Sequence, residues 1–210
     1  MIIELYGLTR SGKTFVAERL RKNGATVIQF DSRIIKYCYA LFFLFSNFKK
    51  SIHLFILLNR NPVLTKSLRF SKKIKLILTR NILLLSTMAT YKKASFAKGK
   101  VIIDEGFFQI IHTSYEREKT THEIEKIISL LPKPDMLIIL NTKRDIRLKR
   151  FKTSGAPREK EFGSKYFETW HASMEHNDKH IRKVLENKKF NFKVHNINNQ
   201  KNIDSTMSFF

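Results

Sequence analysis

Short apolar runs of strand length recur along the chain, each bounded by turn-forming or charged residues: Ile2 to Tyr6, Ala25 to Phe30, Lys100 to Ile103, Met136 to Leu140 and Phe192 to Ile197. Between them apolar positions return with helical spacing, which predicts helices over Lys13 to Lys22, Ser71 to Phe96, Thr120 to Leu131, Lys143 to Lys152 and Ser164 to Asn187. Alternation of this kind argues for an α/β fold with a parallel sheet covered by helices on both faces, and five strands is the natural count. Pro132 and Pro134 interrupt the chain just before the fourth run, where a helix has to stop.

The stretch Tyr37 to Leu58, YCYALFFLFSNFKKSIHLFILL, approaches membrane-spanning length. Asn47, Lys49, Lys50 and His53 interrupt it, so it lacks the run of about 18 apolar residues that a span needs. It reads as a helical pair inserted between the second and third strands, with its aromatic face in the core. The alternative is that Phe42, Phe43, Phe45 and Phe48 meet an acidic membrane surface while Lys49 and Lys50 contact head groups.

Composition narrows the picture. A chain of 210 residues suits a single domain, here with a basic helical insertion over about residues 36–98 and a lid over about 143–163. With 42% hydrophobic and 12% aromatic residues it buries a core, which excludes wholesale disorder. The formal charge is +22, and fifteen of those charges fall between Asp31 and Asp104, where there is no Asp or Glu at all. Nucleic acid or an acidic membrane surface is therefore an expected contact of residues 33–100. Cys38 is the lone cysteine, which removes any disulfide framework and fits a reducing compartment. With no secretory pattern at the N-terminus, the expectation is a cytoplasmic protein of open oligomeric state.

The chemistry enters at Gly7-Leu8-Thr9-Arg10-Ser11-Gly12-Lys13-Thr14, which fits the phosphate-loop pattern G-x-x-x-x-G-K-[ST] at every required position. It lies between the strand IIELY and an amphipathic helix, which is where the mechanism needs it. Backbone amides turned inward hold a triphosphate, Lys13 reaches the outer phosphates, and the Thr14 hydroxyl holds Mg2+. Arg10 inside the loop is placed to offset charge that builds on the transferred group, the role of an arginine finger; an exposed loop arginine is the alternative. A second half of the site is expected at Val101-Ile102-Ile103-Asp104-Glu105-Gly106, where a buried strand ends in Asp104, the metal-side carboxylate, with Glu105 second.

Asp31 follows the second strand at the ligand-binding edge and is the candidate base or anchor for an acceptor hydroxyl, unless Asp31-Ser32 simply caps a helix. Arg144, Arg147 and Arg150 are spaced along one side of a short helix, and Thr153 to Pro157 supplies a hinge that suits a closing segment. His171, Glu175, His176 and His180 share helical spacing, but without further ligands they read as a solvated helix face rather than a zinc site.

Through GLTRSGKT, IIDEG and LIILNTKRDIRLKRFKTSGAPRE the chain resembles the P-loop nucleoside and nucleoside-monophosphate kinases, especially thymidylate kinases. The resemblance covers most of the length. It implies a three-layer sandwich whose parallel sheet runs in the order 2-3-1-4-5, with ATP and Mg2+ as cofactors. It also implies a mobile lid that closes over ATP, with Arg144, Arg147, Arg150 and Arg158 as the matching arginines, of which Arg147, Arg150 and Arg158 bind ATP and Arg150 is catalytic. Asp104-Glu105-Gly106 stands where thymidylate kinases usually have Asp-Arg, and Phe30-Asp31-Ser32-Arg33 lacks their acidic residue followed by Pro and Gly, so base recognition does not transfer. The DEG segment also resembles kinase-like P-loop proteins associated with polysaccharide biosynthesis.

The function expected from all this is ATP- and Mg2+-dependent phosphoryl transfer to a nucleoside, nucleotide or other small anionic acceptor. Two alternatives stand beside it: a kinase acting on a nucleic-acid end or membrane-associated glycan, and a non-catalytic protein that uses ATP as a switch.

Overall fold

The computed structural model describes residues 1–30, 32–59, 70–113, 118–154, 157–187 and 190–197. Its sheet joins β1 (Ile2–Tyr6), β2 (Thr26–Val27), β3 (Val101–Ile103), β4 (Met136–Leu140) and β5 (Lys193–Ile197) in the order β2-β3-β1-β4-β5. Every pairing is parallel, as the resemblance implied. β1 is central, pairing Ile3 with Ile102 on one side and Met136 on the other.

Period-two alternation decides what each face buries. Ile3 and Leu5 of β1, Ile102 of β3 and Met136, Ile138 and Leu140 of β4 pack with Val16, Ala17 and Leu20 of helix α1 (Lys13–Lys22). The opposite face, with Tyr6, Val101, Ile103, Leu137 and Ile139, carries the larger core. It is covered by α4 (Phe70–Phe96), α5 (Phe107–Thr113), α6 (Thr121–Leu130) and α9 (Ser164–Asn187). The start of α6 is secured by a capping box between Thr120 and Glu123.

The inserted pair forms as α2 (Arg33–Ser46) and α3 (Phe48–Asn59). Ser32 caps α2 by accepting from the Ile34 amide at 3.2 Å. At the other end Ser46 Oγ donates to the carbonyls of Phe42 and Phe43, and Asn47 Nδ2 donates to that of Phe43. Side chains that compete for backbone partners in this way end a helix, and the two axes diverge by 103°. No single helix among the described residues is long and apolar enough to cross a membrane; α2 and α3 up to Leu57 pass that test only as a bent pair.

The expectation that the aromatic face lies in the core needs correction. α2 packs on α4 through Ala40 and Phe43, which are buried, while Ile34 and Phe45 are 75% and 76% exposed. Phe42, Phe48, Ile52 and Ile56 are exposed as well, and α4 adds Phe70, Ile74, Leu78 and Ile82. Among the described residues nothing covers this outer side. The second strand is also shorter than Ala25 to Phe30, because only Thr26 and Val27 find ladder partners on β3.

The apolar run FFQIIHT carries no helical signature of its own, yet it forms α5. The segment expected as a lid divides into α7 (Arg144–Ser154) and α8 (Pro157–Phe162), and Pro157 opens the second helix, where its missing N–H is no loss.

Candidate functional site: a phosphate cradle and its polar surroundings

The cradle spans the end of β1 and the start of α1. Gly7 is required there because a Cβ would lie 2.7 Å from Ser11 Oγ and 2.9 Å from the Leu140 carbonyl oxygen. The loop turns through the left-handed region twice, at Arg10 with φ 69° and at Gly12 with φ 99°. For Arg10 this conformation is strained, which singles out the loop as a shape held by its surroundings. Gly12 caps α1 without any side-chain hydrogen bond, leaving the first amides of the helix open toward an anion.

Lys13 folds back over the loop and donates from Nζ to the Gly7 carbonyl at 3.0 Å. Burial pulls its ammonium down to about 8, against the attraction of Glu105, Asp104 and Asp178. Those carboxylates mark what the cradle faces. Thr14 and Asp104 line one hollow of about 590 Å3 together with Glu18, Thr26 and Gln29. Hydroxyl and carboxylate oxygens at that place suit a hard divalent cation, so the pair fits Mg2+. Groups of three or more His, Cys, Asp or Glu placed to hold a metal are absent among the described residues.

Helix α7 and the residue Thr142 before it are tied to the loop at its backbone. Arg150 Nη1 donates to the Arg10 carbonyl at 2.8 Å, Thr142 Oγ1 donates to the Ser11 carbonyl at 2.7 Å, and the Arg10 guanidinium lies 5.7 Å from the Phe151 ring centre. Arg150 and Arg10 thus meet through the Arg10 backbone carbonyl. Arg147 is placed differently: it is 3% exposed and donates from Nη2 to Glu175 Oε1 at 2.7 Å, an ion pair inside the fold rather than a solvent-facing arginine. The side chain of Arg158 lies outside the described residues, as does Asp31 entirely. Ser32 performs the capping considered for the Asp31-Ser32 pair.

The helix bearing the histidines is not a uniformly solvated face. His171 is buried against Phe151 and Phe167 and lies 3.9 Å from Glu175, while His180 Nδ1 is 2.7 Å from Thr121 Oγ1.

A second polar group stands on the larger-core face of the sheet, beside the cradle. Tyr6 Oη donates to Asp178 Oδ1 at 2.6 Å, Arg182 Nε donates to Asp178 Oδ2 at 2.8 Å, and Arg182 Nη1 reaches Asn141. Burial and the neighbouring Asp178 raise the Tyr6 phenol well above its ordinary value, so it remains a neutral donor. His112 is wholly buried, its ring 5.4 Å from that of Tyr6, and burial pushes it down to about 3. Leu8, Asn141, Thr142, Lys143, Arg147, Asp178 and Arg182 surround a hollow of about 360 Å3 here.

Glu4 explains the glycine of the DEG segment. It is completely buried, accepts from the Phe108 amide at 2.7 Å and from Tyr91 Oη, and burial raises it to about 7. A Cβ built on Gly106 falls on this carboxyl group, so only glycine lets the chain pass. Asp178, Arg182 and Glu4 went unsignalled in the sequence because each acts across more than a hundred residues or from another element. The alternation of β1 does contain a hint, since a Glu inside IIELY must either face a partner or break the strand.

No family model matches the sequence, and neither does any curated protein. Solved structures do. A deoxyadenosine kinase from M. mycoides with bound dATP shares 17% identity at a TM-score of 0.56, covering 100% of this chain and 98% of that one. The enzyme from the same source with dCMP and a flexible dCDP shares 14% identity at a TM-score of 0.52, covering 100% and 95%. The chain therefore shares its fold with these deoxyadenosine kinase structures.

Proposed function

We propose that this protein is an ATP- and Mg2+-dependent phosphotransferase acting on a nucleoside, nucleotide or other small anionic acceptor. The observation that carries the reading is the cradle itself: an uncapped helix start, Gly7 with no room for a side chain, and Lys13 folded over the loop beside Asp104. The two deoxyadenosine kinase structures, one with dATP and one with dCMP, support an acceptor of nucleoside or nucleotide type.

In this reading the loop amides from Leu8 to Thr14 hold the outer phosphates and Lys13 neutralises them. Arg10 and Arg150, joined at the loop backbone, stabilise charge on the transferred group; Arg158 belongs to the lid that excludes water, while Arg147 fastens that segment to Glu175. Thr14 and Asp104 would hold Mg2+, which would supply charge neutralisation for the phosphates. Asp31 is the proposed base or anchor for an acceptor hydroxyl. The test is incubation with labelled ATP, Mg2+ and pooled nucleosides, nucleotides, sugars and RNA ends. Label is expected in a small-molecule fraction, and label that stays in ATP or free phosphate across the panel opposes the reading.

The exposed side of α2, α3 and α4 favours a second reading, in which the acceptor is met at an anionic lipid surface. Aromatic and aliphatic side chains there are interleaved with Lys36, Lys49 and Lys50, and residues 32–103 contain no acid. A surface of that kind suits the headgroup boundary of an acidic bilayer better than a nucleic acid, whose phosphates would be met by basic residues without the apolar row. Two copies of the same cationic face would repel. Co-sedimentation with acidic, but not neutral, phosphatidylcholine vesicles is the expected result; equal sedimentation with both, or with neither, speaks against it.

A further inference from the structure

Arg80 lies in the middle of α4, on the buried stripe Leu76, Arg80, Leu84, Met88 and Tyr91 that faces the body of the protein. One turn before it, Leu76 packs with Tyr166, Trp170 and Met174, the cluster against which Leu8 of the cradle rests. One turn after it, Leu84 belongs to the cluster of Tyr6, Phe107 and Phe108, where β1 ends and α5 begins. Arg80 thus stands on the helix stripe between a cluster that touches the cradle and one that reaches the end of the central strand. Thr9 Oγ1, 3.5 Å from Met174 Sδ, ties the first of these clusters directly to the phosphate loop.

Arg80 is only 8% exposed, and among the described residues its Nε and Nη2 have no hydrogen-bond partner. No ion pair reaches it among the described residues, and no acidic residue lies within 23 positions of it in the sequence. Arg147, the other deeply buried arginine, is instead neutralised by Glu175. A guanidinium does not shed its proton in a protein, so Arg80 keeps a charge that no acid among the described residues compensates. Nε and Nη2 form one side of the guanidinium fork, the pair of donors that meets two oxygens of a phosphate or carboxylate at once.

We infer that Arg80 anchors a two-oxygen anionic group on the phosphate acceptor, so that the preferred acceptor carries a fixed negative charge such as a phosphomonoester. This rests on the phosphotransferase reading of the same site and goes beyond it by naming the acceptor's charge and the residue that recognises it. The strain of a lone buried cation is then the counterpart of acceptor selectivity: the charge is satisfied only when the acceptor is bound.

The test uses the full chain and calorimetric titration with dAMP and dCMP, each against its parent nucleoside, and with acetate and inorganic phosphate as the bare anions. The unaltered protein is expected to bind at least one monophosphate tenfold or more tightly than the nucleoside, with competition by inorganic phosphate rather than acetate. Competition by acetate instead keeps the anion anchor and assigns it a carboxylate acceptor. Arg80→Met and Arg80→Gln are expected to erase the preference while leaving ATP affinity within twofold, and Arg80→Lys to restore part of it. Removing the buried charge is also expected to hold or raise the melting temperature of the ligand-free protein, which a merely structural arginine would not do. An unaltered protein without charge preference, an Arg80→Met variant that keeps it, or a ligand-free variant that melts lower overturns the inference. Loss of ATP binding in the unaltered protein would instead strike the phosphotransferase reading, because the monophosphate titration does not require ATP.

Discussion

The cradle end of the sheet and the helices of the insertion dispose of their side chains in opposite ways. Around the cradle, polar groups are withdrawn from water and tied together: Tyr6 to Asp178 and Arg182, Arg150 to the Arg10 carbonyl, Glu4 to the start of α5. Across α2, α3 and the first half of α4, apolar groups are instead left in water, with Ile34, Phe45 and Phe70 each about three-quarters exposed. A buried polar network costs stability unless every member is satisfied, and an exposed apolar face costs solubility unless something covers it. Each is tolerated where it has work to do, so the first points to ligand chemistry and the second to a surface that meets a partner.

The sharpest way to break this contrast is at the cradle. Lys13→Ala is expected to lower phosphoryl transfer by about 10²- to 10³-fold with the fold intact, read by steady-state transfer alongside circular dichroism. A folded variant of unchanged activity would leave the cradle without a purpose. Next in size is the contact between Gly106 and Glu4. Gly106→Ala forces a methyl group onto a buried carboxyl and is expected to destabilise by about 1–3 kcal/mol or more in urea unfolding. A second change, Glu4→Ala, is expected to recover part of that loss; a purely additive double variant would show that the two residues do not meet.

The pH dependence separates the two kinds of buried group. Glu4, raised to about 7 from 4.5, stabilises the fold fully at low pH, and that contribution is lost as pH rises from about 4.5 through 7. His112, lowered to about 3 from 6.5, acts in reverse: its contribution is present above 6.5 and lost as pH falls toward 3. Glu4→Gln is therefore expected to flatten the loss of stability on the rising side, checked by melting curves between pH 4 and 8. For activity, the Lys13 ammonium titrates near 8, so kcat/KM for ATP is expected to fall as pH rises through that value. The smallest stability effect belongs to the insertion, where Phe45→Ser, at a 76% exposed position, is expected to change stability by no more than about 0.5 kcal/mol while weakening acidic-vesicle binding.

Much of the framework was readable from local patterns. Strand-length apolar runs placed β1 and β4 to the residue, and helical spacing placed α1 and α9 equally well, because burial on a sheet face or helix stripe leaves a period in the sequence. The strand-to-helix turn carrying GLTRSGKT was readable because Gly7 and Gly12 are needed at fixed positions in it. Helix α5 was not, since FFQIIHT owes its helical state to Glu4 capping it from a distant strand. The burial of Arg147 against Glu175 and the exposure of Phe42 and Phe45 were equally hidden, because both depend on which elements pack together rather than on any period. Asp178 reaches Tyr6 across 172 positions, a distance that no local motif spans.

The claim on which the rest stands is that the loop from Gly7 to Thr14 grips the phosphates of a nucleoside triphosphate. Equilibrium titration of the intact chain with ATP and Mg2+, repeated with Lys13→Ala, tests it most directly. Saturable binding at or below about 1 mM that the substitution weakens is the predicted result. A protein that takes up neither ATP nor GTP at millimolar concentration, with Mg2+ supplied, would contradict it.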